Sequence, residues 1–253
     1  MKIKKTTKDW KGIKTIHILG LPRTGTTILY QGLAKHSQLA YFYHKTFLPI
    51  SLRKKINLRG FIPYEGAQWI KFHHELEYLE YATKIEKKYY HSVVEDFCSK
   101  FKTRYFLSKY PGNVLRIKWL DSIFPESKYI ILERERKASI QSLYHFAKKH
   151  LKRDQQQQVK YEHGFGGWVT ILKKFGDGSL SLDAITKYHD FMKNAQTADS
   201  KILKDKINVS YEQFTENPKK VLDSIYSFIG LSWDNSIKLP EIKNMNYRHE
   251  KKN

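Results

Sequence analysis

The chain is short of several things at once. Its 253 residues include one cysteine, Cys98, three methionines and seven prolines, and only 25 acidic residues against 46 Lys and Arg. A lone cysteine forms no internal bridge, so a disulfide scaffold is excluded, which fits a reducing compartment or simple indifference to redox. No run approaches the roughly 18 apolar residues that a membrane-spanning helix needs, so no transmembrane anchor is expected. The amino terminus opens with basic residues, as a secretory signal does, but its apolar stretch is short and carries His17, and it reads as a strand lead-in. With no other address legible, the expected location is cytoplasmic. No metal is expected either. His73-His74-Glu75 lacks the i, i+4 histidine pair of a helical zinc site, and Cys98 has no thiol partner.

What is present bounds the answer further. At 40% hydrophobic and 14% aromatic the chain carries enough apolar material for one core, and residues 1–253 are expected to form a single domain. The net charge of +21 raises the local concentration of any polyanion without choosing among them. Runs such as residues 85–90 and 146–153 read as solvated lysine faces of amphipathic segments. No zinc-finger spacing, RNP-type strand or homeodomain-like helix is present, so no specific nucleic-acid partner is expected.

The hydrophobic pattern alternates. Residues 13–21 read as a β-branched strand, followed by a glycine loop and a helix that begins in Thr26-Thr27. The same order recurs as strand 104–111 with helix 113–124, strand 128–135 with helix 137–151, and strand 206–212 with helix 218–230. Such alternation predicts an α/β fold, a P-loop-like three-layer arrangement with a central parallel sheet and helices on both faces. Two stretches break the rhythm and read as insertions beyond the carboxyl ends of the strands. They cover about 45–101, with helical patterning through 76–97, and about 152–182, which includes a glutamine run at 155–158 that reads as a flexible loop. No second core is expected.

The most informative segment is Gly20-Leu-Pro-Arg-Thr-Gly25-Thr26-Thr27, between a strand and a helix. Its spacing is that of a phosphate-binding loop, in which consecutive backbone N–H groups cup an anion at a helix amino end and Thr26 and Thr27 add hydroxyl donors. A nucleotide triphosphatase would carry lysine where Thr26 stands. Here the positive charge is displaced to Arg23, which argues against ATP hydrolysis.

Pro22-Arg-Thr-Gly-Thr-Thr27 resembles the 5′-phosphosulfate loop of the sulfotransferases that use 3′-phosphoadenosine-5′-phosphosulfate (PAPS). A second block agrees: Arg134 ends a strand and Ser142 follows eight residues later, as in the pair that holds the 3′-phosphate in that family, although Arg136 replaces the usual proline. A third block, Val209-Ser-Tyr211-Glu-Gln-Phe214 followed by Asn217-Pro218, resembles the segment whose tyrosine lies near the adenine. The resemblance runs from about residue 15 to about 233 and is closest to the branch that includes protein-tyrosine sulfotransferases and bacterial relatives. The carboxyl-terminal cofactor loop of the family is not evident in 238–253, where either the tail is reduced or its lysines substitute.

The resemblance implies PAPS as donor and adenosine 3′,5′-bisphosphate (PAP) as product. It places Arg23, Thr24, Gly25, Thr26, Thr27, Arg134, Ser142 and Tyr211 at the cofactor. Sulfuryl transfer accumulates charge on the leaving phosphate oxygen and on the sulfonate, so cations must be aimed there. Arg23 is one; Lys109, in Leu-Ser-Lys-Tyr-Pro, is the other. The acceptor's proton needs a base, and the residue in register with the branch's catalytic glutamate is His44, with Glu65, His73, His74 and Glu75 as alternatives. The acceptor is a hydroxyl compound, or an amine, with a glycan among the candidates. Two rival readings remain at this point, a P-loop phosphotransferase and a non-catalytic polyanion-binding protein.

Overall fold

The computed structural model describes residues 12–42, 76–157 and 168–234, together with Ile237 and Leu239. Five strands form one parallel sheet: β1 (Lys14–Leu19), β2 (Leu39–Tyr41), β3 (Tyr105–Lys109), β4 (Lys128–Glu133) and β5 (Lys206–Ser210), in the order β2-β3-β1-β4-β5. Central β1 pairs Ile16 with Leu107 of β3 and Ile18 with Ile130 of β4. Its residues from Thr15 to Leu19 are all buried, polar Thr15 and His17 included, as in a strand covered on both faces. The helices are α1 (Thr26–Leu33), α2 (Lys84–Phe101), α3 (Ile117–Ile123), α4 (Arg136–Gln157), α5 (Trp168–Phe175), α6 (Leu182–Asp199), α7 (Tyr211–Glu216) and α8 (Pro218–Ile229). The α/β parallel-sheet expectation therefore holds.

Local chemistry corrects several boundaries. The helical pattern expected from residue 76 starts only at Lys84, because Thr83 and Glu86 form a reciprocal capping box at that point. Buried Glu86 also accepts the Trp119 indole N–H at 2.9 Å, which fastens α2 to α3. So the part of the 45–101 insertion that is described is largely a connecting helix packed against β2 and β3. The helix expected over 113–124 is split into a 3₁₀ turn at Pro111–Leu115 and α3, with Arg116 at φ −139° between them. Helix α4 runs on to Gln157 and takes in most of the glutamine run read as a loop, since Lys, Arg and Gln all favour helix and no glycine intervenes. Strand β5 stops at Ser210, whose side chain accepts from Gln213 N and starts α7 at Tyr211.

Strand β2 and helices α5, α6 and α7 were not foreseen. Strand β2 has three residues, too few to show a period of two, yet all are buried. Helix α6 packs with α4 and α5 into a second apolar cluster that contains Leu143, Trp168, Leu172, Ile185, Tyr188 and Met192, separate from the sheet core.

Within the sheet, His17 is 1% exposed, its Nδ1 lies 3.0 Å from Ser108 Oγ, and its ring rests against Phe124 and Tyr129. Burial pushes its pKa down to about 3. Between about pH 6.5 and about pH 3 the unfolded chain binds a proton that the folded chain refuses, so stability falls by about 1.4 kcal/mol for each unit of acidification in this window. Thermal melts from pH 7 to 4 should therefore fall more steeply for the parent than for His17→Gln, and the His17 ring signals should stay neutral to pH 4. A ring titrating near pH 6.5 would contradict the assignment.

Candidate functional site

Four adjacent strands deliver the candidate residues to one edge. Lys109 is the last residue of β3, the Gly20–Gly25 loop leaves β1, Arg134 follows β4, and Tyr211 follows β5. The connection from β1 crosses to one side of the sheet and that from β4 to the other, so the crevice lies above the β1 and β4 carboxyl ends, where α/β sheets bind ligands.

The loop is built around its glycines and one threonine. A Cβ on Gly20 would meet Thr26 Cγ2 at 2.6 Å and the Leu132 carbonyl oxygen at 2.9 Å, so only glycine lets the loop lie against β4. Gly25 has φ +94°, and a side chain there would collide with the Tyr211 ring. Thr24 donates its hydroxyl to the Leu21 carbonyl at 2.7 Å, so this hydroxyl closes the turn. Thr26 is buried and Thr27 exposed at the first turn of α1. Side chains cap α2, α6, α7 and α8, but none caps α1. The amino end of α1 therefore points the positive end of its helix dipole into the loop.

Two arginines meet over this loop. Arg134 Nη1 donates to the Arg23 carbonyl at 3.0 Å, and its guanidinium lies 4.6 Å from the centroid of the Tyr211 ring. Arg23 sits at φ +71°, a conformation that non-glycine residues rarely adopt, and its guanidinium lies 4.7 Å from the Phe146 ring. Burial, together with the neighbouring charge of Arg134, lowers the pKa of Arg23 from its ordinary value. Two like charges are thus held close together over the loop.

Acidic side chains brace the turn from behind. Glu135 accepts from the Lys137 and Ala138 amides at 2.7 and 2.6 Å and so caps α4, while Glu135 N donates to Glu212 Oε1 at 3.0 Å. The Ser210 hydroxyl donates to Glu212 Oε2. The two amide bonds hold Glu135 below the usual carboxylate range. For Glu212 burial opposes ionisation, but the backbone and Ser210 hydrogen bonds and the charge of Arg134 outweigh it, and its pKa is also lowered.

Lys109 Nζ lies 3.4 Å from Thr27 Oγ1 and 5.9 Å from the Tyr30 ring centroid. Ser142 stands one helical turn before Phe146 on α4, on the same face. The structure thus draws together Arg23, Gly25, Arg134 and Tyr211 by direct contact, joins Lys109 to the loop through Thr27, and sets Ser142 on the helix that touches Arg23. His44, Glu65, His73, His74 and Glu75 lie outside the described residues. Sequence reasoning missed Phe146, Glu135 and Glu212. Phe146 was signalled only by its i, i+4 spacing from Ser142, and Glu135 only by its place before a helix. No cluster of His, Cys, Asp or Glu among the described residues could hold a metal ion, and no described helix is long and apolar enough to cross a membrane.

A sequence model of the sulfotransferase family matches residues 15–235. An uncharacterised protein of Aquifex aeolicus is 24% identical over 224 residues, which are 88% of this chain and 26% of that protein, so the chain spans about a quarter of its relative's length. The solved sulfotransferase STF9 of Mycobacterium avium superposes with a TM-score of 0.58 at 14% identity, covering 89% of this chain and 66% of its own. STF1 of Mycobacterium tuberculosis gives 0.57 at 13%, covering 89% and 69%. The sulfotransferase of Alicyclobacillus acidocaldarius gives 0.53 at 14%, covering 94% and 89%. At these identities the likeness to the solved structures is one of fold.

Proposed function

Since the chain belongs to the sulfotransferase family, we propose that it moves a sulfonate from PAPS to a hydroxyl, or less readily an amine, and releases PAP. The observation that carries this reading is the pair Arg23 and Arg134, joined above the uncapped amino end of α1. The 5′-phosphosulfate would lie in the loop, taking the backbone N–H groups of Gly25 to Thr27 and the Arg23 fork. The 3′-phosphate would take Arg134 and the Ser142 hydroxyl, with the adenine against Tyr211. Geometry favours this reading over an ATP-dependent one at a specific atom. Thr27 occupies the position whose hydroxyl binds magnesium in P-loop nucleotidases, and there the Lys109 ammonium stands 3.4 Å away. The Lys109 ammonium would take the place of the divalent ion.

In the transfer step an acceptor oxygen lone pair attacks sulfur in line. The bond from sulfur to the bridging oxygen breaks, its electron pair stays on the 5′-phosphate of PAP, and the acceptor proton leaves to a base. Lys109 and Arg23 would face the charge that grows on the bridging and sulfonate oxygens. For the base we propose His44. The charge of +21 favours an acceptor that is itself anionic, a sulfated or uronic glycan being one such class. Incubation with sulfur-35-labelled PAPS and a panel of hydroxyl compounds, in the presence of EDTA, should release PAP and label an acceptor. Consumption of γ-labelled ATP that depends on magnesium, with PAPS left intact, would overturn the proposal.

A further inference from the structure

Arg23 poses a positioning problem. Its guanidinium has no hydrogen-bond or ion-pair partner among the described residues, and its Nε is buried without one. Its long side chain carries about 2 kcal/mol of rotamer entropy, and the nearby Arg134 repels it. Left to itself, such a group would swing toward solvent. The contact that opposes this is the face of Phe146, 4.7 Å from Arg23 Cζ.

That ring is itself held. His150, one turn further along α4, lies 4.0 Å from it, and Trp168 at the start of α5 meets it edge-on at 6.0 Å. Trp168 in turn stands edge-on to Tyr188 of α6. Three helices therefore fix the plane on which the guanidinium rests. An aromatic face attracts a cation without accepting any of its hydrogen bonds. A carboxylate in the same place would hold Arg23 equally well, but would occupy its N–H donors and cancel its charge. The ring leaves the fork intact for an incoming anion.

We propose that Phe146 is a positioning residue that presets the Arg23 guanidinium for the 5′-phosphate end of the nucleotide. This rests on the PAPS reading of the site and extends it to a side chain that need not touch the nucleotide. The unforeseen second apolar cluster then has a role: through Trp168 and Phe146 it sets the orientation of a cation in the loop.

The test is a double-mutant cycle read by calorimetry of PAP, with Phe146→Leu, Arg23→Gln and the double variant, and with Phe146→Tyr as the conservative control. Phe146→Leu should weaken PAP about 10-fold. Phe146→Tyr should stay within about 2-fold of the parent, and Phe146→Leu should cost nothing further once Arg23 is Gln. Phe146→Met also removes the ring while keeping bulk, and replaces the Leu variant if that one fails to fold. Equal PAP affinity in the Leu variant, or the same loss with and without Arg23, would reduce Phe146 to ordinary packing. Those outcomes are separable from failure of the cofactor reading itself, because that failure shows in the parent as an inability to bind PAP, and the present inference would fall with it.

Discussion

Lys109→Ala is expected to lower kcat by about 100- to 1,000-fold while leaving PAP affinity within about 3-fold, because the charge that Lys109 meets exists mainly in the transition state. The side chain leaves the last residue of β3, beside the first turn of α1, with Nζ 3.4 Å from Thr27 Oγ1. It is thus placed by β3 and by the start of α1. A preset cation of this kind needs no reorganisation as the bridging oxygen takes up charge. The melting temperature should hardly move, since Lys109 is only half-buried. Single-turnover release of PAP from PAPS gives the comparison. A variant with undiminished turnover would remove Lys109 from the mechanism.

Arg134→Ala has a different signature. Here the loss should fall on the 3′-phosphate: PAP should weaken by roughly 10- to 150-fold, the effect of deleting a hydrogen bond to a charged group, while adenosine 5′-monophosphate should be little affected. Arg134 is fixed by its bond to the Arg23 carbonyl, by the Tyr211 ring, and by the Glu135 and Glu212 turn that begins α4. The turn survives the substitution because its hydrogen bonds come from the backbone and from carboxylates. Calorimetry with both nucleotides separates the two phosphates. Equal weakening of both would mean that Arg134 only supports the loop.

How much of this could be read from the sequence depends on how local each feature is. The Gly20–Thr27 loop was legible because its two glycines and its threonines act within eight residues, between a strand and a helix with strong periodicity. Arg134 and Ser142 were legible as a pair because they lie eight residues apart across one strand-to-helix connection. What escaped was non-local. Glu212 meets the Glu135 amide across 77 residues, and Phe146 meets Arg23 across more than a hundred, with nothing in either segment to announce the contact. Strand β2 escaped because three residues show no period. Tyr211 was read only as lying near the adenine; the structure gives its ring two protein contacts, Gly25 and Arg134, and the first of these explains why residue 25 must be glycine.

A site built for a nucleotide phosphorylated at both the 3′ and 5′ positions of its ribose should reveal itself in a single titration. PAP is added to the unmodified protein in the calorimeter without magnesium, with adenosine 5′-monophosphate and ATP as controls. Saturable binding of PAP at least about 10-fold tighter than either control is expected, as one charged hydrogen-bonded phosphate would supply. Indistinguishable binding of all three nucleotides, or preference for ATP, would contradict it.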